Sequence, residues 1–522
     1  MRSFPALVLL AVPAALYVGC VGDDPATAPA TGPDSGVTGT PDGGNPSPDA
    51  SSDASTDKDS SSPDASVSIT GDFTSVYSLG ATTVSHGVAT DKNGDVVIVG
   101  TIDGAVQING LTYTSTDRDV LVVRLAANNG VKWAKNLGSA VTDDGNAVAI
   151  DANGDVYIAG DYNGGGPAST VATFGTKTLT SQHASYSSFV AKLDGTNGNT
   201  LWAQSFDAAA SVHLCTHIAA GPSSVAVGCQ VSGTVAYTNT NDTPGTRAAG
   251  SQDGWIAELD PATGKVARGL LLTGGGIGDL AFDKANNLYA WGTVKANITG
   301  DTPSFTINKT GSSDAFLIAL AAPAAGTRAL AWSKAYGSSG AMTSPGGLAV
   351  APDGSLYVSG LFGGTRDFGK GQITSAGALD GFVLHIAANN GGTLAQTQYG
   401  AAGTALFSTG IAVDDVGNPM VANYYRNTGF THGGVALPTT DTTDDASSFV
   451  TKLSPDLSKI DYVKLTQGKA SGVSGARHQA VATNGATGQS VTVGFLGGTA
   501  DLGDGKDTAI TPGGLYMIRR AR

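Results

Sequence analysis

The sequence predicts an all-β fold, a seven-bladed β-propeller that is closed by its own first strand, and three observations lead to this prediction. A turn-and-strand motif recurs seven times along the chain. The amino-acid composition favours turns and strands over helices. The first and last segments of the repetitive region supply complementary parts of a single repeat unit.

The recurring motif is a tight turn followed by a short apolar strand. Its clearest copy is residues 151–160, Asp-Ala-Asn-Gly-Asp-Val-Tyr-Ile-Ala-Gly, in which Asn-Gly is a strong hairpin-turn signal. The strands of the seven copies end at Gly100, Gly160, Gly228, Gly292, Gly360, Asn423 and Gly494. Their mean spacing is about 66 residues, and a fixed period of this kind indicates a repeat architecture.

Each repeat contains four strand-like segments separated by turn residues, which is typical of one propeller blade. In the second repeat these segments are residues 147–151, 156–159, 189–193 and 201–206. The fourth segment carries a tryptophan in three repeats, and this shared position favours core packing over ligand stacking for Trp133, Trp202 and Trp332. Because the period exceeds the 40–45 residues of a compact blade, we expect outer hairpins or loops between the second and third strands.

The two ends of the repetitive region complement each other. The seventh repeat has no fourth strand, whereas residues 73–80 match residues 131–138, the fourth strand of the first repeat. The segment 73–80 is therefore predicted to lie beside residues 515–518 and to complete the last blade. Ring closure of this kind removes an unpaired edge on which other chains would otherwise aggregate.

The composition supports the same fold class and excludes one class of function. The chain has 74 glycines, and its only glutamate is Glu258, so turn formers outweigh good helix formers. The formal net charge is −14, which argues against nucleic-acid binding because that function needs a basic surface.

The N-terminal region is predicted to be a targeting segment followed by a spacer. Residues 1–20 contain Arg2 and an apolar run that is too short to span a membrane, and they end at Cys20. Leu-Tyr-Val-Gly-Cys, residues 16–20, resembles a bacterial lipoprotein cleavage site, which implies acylation of Cys20, for example with palmitate, and membrane attachment. Ordinary cleaved secretion and an uncleaved anchor are the alternatives. Residues 21–68 form an acidic linker rich in Pro, Ser, Thr and Gly that we expect to be disordered. The propeller is predicted to occupy residues 69–522.

The repeats resemble the SBBP family of bacterial β-propeller repeats. The shared pattern is an apolar first strand that ends in Asp, then Gly-Asn/Asp-Val-Tyr-Val-x-Gly, then Asp-x-Phe-Val-x-Lys-Leu, and then a tryptophan strand; residues 151–206 match it best. The resemblance implies a propeller outside the cytoplasm rather than a particular activity. Residues 259–265, Leu-Asp-Pro-Ala-Thr-Gly-Lys, also resemble pyrroloquinoline-quinone-type propeller repeats, which include quinoprotein dehydrogenases and the lipoprotein scaffold of outer-membrane barrel assembly.

Two cysteines lie in the third repeat. Cys215 precedes its first strand and Cys229 follows its second, so a hairpin that turns at residues 222–223 places them opposite each other, and we consider a disulfide the first interpretation. A zinc site is an alternative, because His213, Cys215 and His217 alternate along a strand and, together with Cys229, supply two sulfur and two nitrogen ligands. Unpaired, buried thiols are the third interpretation.

Other chemistry has weak support in the sequence. The turns 91–95 and 151–155 resemble calcium loops, but a hairpin turn explains the same residues, and a calcium loop needs more oxygen ligands. We find no Gly-x-Ser-x-Gly motif and no phosphate-binding Gly-x-x-x-x-Gly-Lys-Ser/Thr loop, and we predict no cofactor and no metal.

The sequence therefore predicts a non-catalytic, monomeric binding propeller at the surface of a bacterial cell envelope. A lipid anchor on Cys20 would hold it in the outer membrane or at the cell surface, where it would recognise a protein or glycan ligand. One alternative is an outer-membrane scaffold of the barrel-assembly kind. A less favoured alternative is a propeller enzyme with aspartates that converge at the channel.

Overall fold

The computed structural model describes residues 73–79, 83–164, 166–182, 184, 186–207, 212–324, 326–338, 342–440, 447–468, 477–484, 488–501 and 507–520. Cys20 and the predicted segments 1–20 and 21–68 lie outside these residues. The described residues form 34 β-strands and no helix, which confirms the all-β prediction. Consequently, no apolar helix of membrane-spanning length occurs among them.

The strands follow one another along the chain with short connections. The first seventeen are β1 (Phe73–Ser78), β2 (Thr83–Thr90), β3 (Val96–Ile108), β4 (Leu111–Leu125), β5 (Val131–Leu137), β6 (Thr142–Ile150), β7 (Val156–Gly164), β8 (Val171–Phe174), β9 (Lys177–Thr180), β10 (Ser187–Leu193), β11 (Thr200–Phe206), β12 (Val212–Ala220), β13 (Val225–Thr238), β14 (Pro244–Leu259), β15 (Val266–Phe282), β16 (Leu288–Asp301) and β17 (Ser304–Ile307). The others are β18 (Asp314–Leu320), β19 (Leu330–Tyr336), β20 (Thr343–Val350), β21 (Leu356–Phe362), β22 (Thr365–Asp367), β23 (Gln372–Thr374), β24 (Asp380–Ile386), β25 (Thr393–Tyr399), β26 (Thr404–Val413), β27 (Pro419–Asn427), β28 (Phe430–His432), β29 (Val435–Leu437), β30 (Ser447–Leu453), β31 (Ile460–Gly468), β32 (Arg477–Thr483), β33 (Ser490–Asp501) and β34 (Asp507–Arg520).

Antiparallel pairing assigns these strands to sets of four, which we call blades. Blade 1 is β2–β3–β4–β5, blade 2 is β6–β7–β10–β11, blade 3 is β12–β13–β14–β15, blade 4 is β15–β16–β18–β19, blade 5 is β20–β21–β24–β25, blade 6 is β26–β27–β30–β31, and blade 7 is β32–β33–β34–β1. The long strand β15 is shared, because its first half pairs with β14 and its second half with β16. Each set therefore follows the predicted four-segment repeat.

Blade 7 is completed from the other end of the chain, which confirms the predicted closure. Strand β1 pairs antiparallel with β34, and Val76 lies opposite Ile518. The bond from Leu79 N–H to the Leu515 carbonyl, 3.1 Å long, extends the contact past the end of β1. The fourth strand of the last blade is therefore the first described strand of the chain.

The last residue of the sequence motif, a glycine in six blades and Asn423 in blade 6, lies opposite a β-bulge in the innermost strand. In all seven blades the register between the first and second strands shifts opposite this residue. Examples are the shifts between Ser85 and Gly87 and between Gly145 and Ala147. A methyl group added to Gly100 or Gly160 would lie within about 2 Å of a backbone carbonyl oxygen of the bulged strand. Only glycine leaves room for this close approach, so the motif ends in glycine for a steric reason.

The hydrophobic core lies between consecutive blades. One cluster joins Val99 and Trp133 of blade 1 to Ile158 and Phe189 of blade 2. Another joins the blade 1 strand β3 to Met517 of blade 7, so the first and last blades also share a core. Third strands such as β10 are buried at every residue because both of their faces pack against neighbouring blades. A single blade is thus unable to bury both of its faces alone.

The long repeat period arises from hairpins between the second and third strands, as predicted. They are separate strand pairs in blades 2, 5 and 6 and extensions of the blade strands elsewhere. In blade 5 the hairpin covers the outer strand β25, since Gln396 and Gln398 donate to the carbonyls of Gly371 and Thr374. The hairpins thereby shield outer strand edges, which would otherwise be free to pair with another chain.

Candidate functional site

Aspartates close the turns between the first and second strands in blades 1 and 2. Asp91 Oδ1 accepts hydrogen bonds from the N–H groups of Asn93 (2.8 Å) and Asp95 (2.9 Å). Asp151 closes the equivalent turn of blade 2 with bonds of 2.9 and 3.0 Å. Backbone amides thus occupy the oxygens that a calcium loop would use, and these motifs are hairpin turns. Within the described residues, no three His, Cys, Asp or Glu side chains are placed to hold a metal ion.

A buried arginine joins the turns of the two blades. Arg124, on the third strand of blade 1, donates through Nε to Asp95 (3.1 Å) and through Nη2 to Asp91 (2.7 Å). Its Nη1 donates to the carbonyls of Gly154 (2.8 Å) and Gly195 (3.0 Å) in blade 2. Arg124 is only 5% exposed, so these charge-assisted bonds form a fixed floor between the blades.

Above this floor lies a cleft of about 600 Å³ between the turns 91–95 and 151–155. We call it the blade 1–2 cleft. Its lining is polar and includes Lys92, Asn93, Lys132, Asn153, Asp155 and Thr196. Lys132 forms an ion pair with Asp95, yet its side chain is 44% exposed, so part of it faces solvent. The bottom of the cleft is thus held by ion pairs, and its rim carries exposed hydrogen-bonding groups.

Equivalent third-strand positions carry charged side chains in other blades, where they also bind neighbouring turns. Two of these contacts stay within one blade: Lys192 pairs with Asp155 at 2.9 Å, and Lys452 pairs with Asp414 at 3.0 Å. Two others reach the next blade: Glu258 pairs with Arg328, and Arg519 donates to the carbonyls of Gly94 and Ala126 at 2.9 Å each. These residues repeat at the blade period just before a leucine in most copies. This recurrence is visible in the sequence, but the partners of these residues in the turns are not, because they depend on how the strands pack.

The three recurring tryptophans connect each blade to the next rather than face a ligand. Their indole N–H groups donate to carbonyls in the last turn of the following blade: Trp133 to Gly195 (2.9 Å), Trp202 to Pro261 (3.1 Å) and Trp332 to Ala388 (2.7 Å). The rings lie against the glycines Gly198, Gly264 and Gly391 of those turns, all with positive φ. The predicted packing role is therefore extended by a hydrogen bond between blades.

The cysteine pair lies in blade 3, at the level of the bulge. Cys215 and Cys229 face each other across β12 and β13 and are joined by a disulfide. The register shifts between Cys215 and His217, which breaks the alternation that a zinc site would need. His213 Nδ1 lies 2.7 Å from the Phe206 carbonyl and His217 lies beside Thr216, so the structure does not assemble the Cys₂His₂ set.

Two aspartates near the innermost strands, one buried (Asp161) and one partly buried (Asp279), bind the backbone of the next blade. Asp161 of blade 2 accepts from Cys215 N–H at 3.2 Å, and Asp279 of blade 4 accepts from Leu348 N–H at 2.7 Å. Burial raises the pKa of Asp161 to about 8 and that of Asp279 to about 7. The sequence alone did not identify either residue, because neither lies in a repeated motif.

Comparisons with known proteins find similarity in fold and none in sequence family. No family model matches this chain, so the SBBP resemblance stays a prediction, and no curated protein matches it. Similar solved structures include the RRP9 WD40 repeats (TM-score 0.40, 7% identity, 85% of this chain and 98% of that chain) and the Dos1 propeller (0.38, 9%, 85% and 94%). The quinohemoprotein alcohol dehydrogenase from Comamonas testosteroni matches with a TM-score of 0.36, 11% identity and coverage of 86% and 77%. These scores are too low to carry a functional argument, and the assignment as a β-propeller rests on the strand pairing.

Proposed function

We propose that this protein is an exported, lipid-anchored binding propeller that holds a polar ligand, a protein segment or a glycan, in the blade 1–2 cleft without converting it. The observation that carries the proposal is the cleft itself, with exposed polar groups above the fixed Arg124 floor. Rigid frames that display loops are common recognition scaffolds, because little ordering is needed when the ligand binds.

The charges of the cleft support binding rather than acid–base catalysis. Asp91 and Asp95 accept from Arg124, and Asp95 also pairs with Lys132. A carboxylate in this position would have to release its cationic partners before it took a proton from a substrate. Asn93, Asn153 and Thr196 remain exposed at the rim and offer neutral hydrogen-bonding groups. Such a surface suits a hydroxyl-rich or amide-rich ligand.

The anchor is proposed from the sequence of residues 1–20. Strand β1 is the outermost strand of blade 7, so the described part of the chain begins at an outer strand. Acylation at Cys20 followed by the acidic spacer 21–68 would tether the propeller to a bacterial membrane and present its turns to the surroundings.

A substitution at the cleft tests the binding proposal. Thr196→Arg places a long side chain at the exposed rim, and Ala262→Arg makes the same change at the equivalent exposed position of the blade 3 turn. Screening the full-length protein against glycan arrays and purified envelope proteins should identify a ligand that wild type and Ala262→Arg retain and Thr196→Arg loses. Equal binding by Thr196→Arg would place the ligand elsewhere, and conversion of the ligand would refute the non-catalytic role.

Labelling with radioactive palmitate tests the anchor. The wild type and a Cys229→Ala variant should incorporate the label, whereas Cys20→Ala should not. Retention of the label in the Cys20→Ala variant would refute lipidation at this residue.

A further inference from the structure

An excess of buried hydrogen-bond acceptors lies at the junction of blades 1 and 2, away from the blade 1–2 cleft. Asp119 Oδ1 is buried without a donor, and the whole residue is only 7% exposed. Asn136 Oδ1 is likewise buried without a donor. The Asn136 amide group donates to Asp119 Oδ2 (2.9 Å) and to the Thr114 carbonyl (2.8 Å), which fixes its oxygen as the free acceptor. A buried acceptor without a partner costs about 1–3 kcal/mol.

A second carboxylate faces the same place. Asp143, on the first strand of blade 2, is fully buried. It accepts from the backbone N–H groups of Ser139 (2.5 Å) and Asn163 (3.0 Å). A methyl group placed on Gly138 would lie 2.6 Å from Asp143 Oδ2 and 3.2 Å from Asp119 Oδ1, so both oxygens border the glycine. The two carboxylates therefore lie close together across the blade junction.

The equivalent aspartates of three other blades have no such deficit. Asp314 and Asp380 start the third strands of their blades, and Asp253 lies within β14. Each accepts two backbone N–H groups: Asp253 from Gly250 and Gly274, Asp314 from Thr310 and Gly311, and Asp380 from Ala376 and Gly377. Among the described residues, Asp119 accepts only from the side-chain amide of Asn136, and no backbone N–H group donates to it. The backbone donors that satisfy the other three aspartates are therefore missing at Asp119.

No cationic side chain replaces those donors. Among the described residues, no Lys, Arg or His forms an ion pair with Asp119 or Asp143, and the neighbouring Arg118 pairs with Asp144 instead. Two like charges in a buried site need a counter-charge.

We propose that Asp119, Asn136 and Asp143 form a binding site for a hard cation between blades 1 and 2. Carboxylate and side-chain amide oxygens are ligands that Ca²⁺ prefers, and water completes its coordination in many sites. Asn136 is only partly buried, so this side of the proposed site lies near the protein surface. The cation would supply to Asp119 the positive partner that backbone amides supply in the other blades, and it would join the two blades.

Calcium titration of the full-length protein, after removal of metal with a chelator, tests this site. Calorimetry should show one Ca²⁺ per chain with a dissociation constant of ~1 mM or lower, the range of extracellular calcium modules, together with a rise in melting temperature. Asp119→Asn keeps the shape of the side chain but removes its charge, and it should weaken binding at least about tenfold.

Asp380→Asn is the matched control, because Asp380 holds the equivalent position with its donors in place. It should bind Ca²⁺ like the wild type, even if it is less stable. Equal loss of affinity in Asp380→Asn and Asp119→Asn would refute the site, as would the absence of heat and of a melting shift at ~10 mM Ca²⁺. Metal analysis of wild type dialysed against ~10 mM Ca²⁺ gives a second readout, with about one equivalent of calcium expected above the level of the dialysis buffer and its absence counting against the proposal.

Discussion

Glu258, the only glutamate of the chain, is paired with Arg328 of the next blade. Nε of Arg328 donates to Oε1 at 2.5 Å and Nη2 donates to Oε2 at 2.9 Å, so the contact is bidentate. Both side chains are buried, at 5% and 3% exposure. In blade 1 the guanidinium lies on the third strand, whereas here the third strand carries the carboxylate and the arginine comes from the neighbouring blade. The Glu258–Arg328 ion pair crosses the blade junction, whereas the ion pairs of Arg124 lie within blade 1 and carbonyls of blade 2 accept its bonds across the junction.

Breaking this pair is expected to destabilise the protein strongly. Glu258→Gln leaves Arg328 buried without its counter-charge, which costs about 3–5 kcal/mol. Arg247→Gln is the control, because Arg247 and Asp301 form a pair that is about one-third exposed and is worth about 0–1 kcal/mol. The denaturant midpoint of Glu258→Gln should therefore be clearly lower than that of Arg247→Gln. Equal midpoints would show that the buried pair contributes no more than the surface pair.

Gly264 tests the packing of the tryptophans on the next blade. Gly264→Ala puts a methyl group at φ +73° and 2.5 Å from the Trp202 ring. Gly354→Ala imposes the same backbone strain at φ +88°, but nothing lies within 4 Å of its methyl group. The strain alone costs about 1–2 kcal/mol, and the clash should add about 1–3 kcal/mol to Gly264→Ala. Thermal melting of both variants measures the difference, and equal losses would contradict the packing role of Trp202.

The register of ring closure is open to a crosslinking test. Val76 and Ile518 are directly opposed in the β1–β34 pair, so cysteines at both positions should form an intramolecular disulfide under mild oxidation. Val76→Cys combined with Tyr516→Cys is the control, because Tyr516 pairs with Ser78 and is displaced along the strand by two residues. Peptide mapping should find the bridge in the first variant. A bridge in the control alone would show a shifted register.

The stability contribution of Asp279 should decrease as the pH rises. Burial raises its pKa in the folded state to about 7, above about 3.9 in an unfolded chain. The folded state therefore binds the proton more tightly, and this contribution is full below pH ~4 and is lost as the pH rises toward 7. Asp279→Asn cannot titrate. The melting temperature of the wild type relative to this variant should fall between pH 4.5 and 7.5, and a constant difference would contradict the shifted pKa.

Carboxyl NMR of the wild type checks the same group directly. The resonance of Asp279 should titrate with a midpoint near 7, whereas Asp456, which is exposed and accepts from Ser454 and Ser458, should titrate near 2. Titration of both at the ordinary aspartate value would show that Asp279 is solvated in the folded protein.

The repeat was sufficient to predict the blades and their closure, because strand alternation, turn residues and the missing fourth strand are local features of the sequence. The pairing of Cys215 with Cys229 could also be inferred from the sequence, since both residues flank one hairpin. The ion pair of Glu258 and Arg328 was not, because the two residues lie in different blades and their contact depends on how the blades pack. The donor deficit at Asp119 likewise depends on which backbone N–H groups the fold brings to its carboxylate.

The pairing of β1 with β34 also has a consequence for biogenesis. The first described strand must stay available until the last one has been synthesised, so the ring is sealed late and through a contact of very long sequence separation. Contacts of this kind slow folding, and unfinished intermediates expose strand edges that aggregate. A chain with this topology would therefore depend on holding factors during the interval between synthesis of its first and last strands.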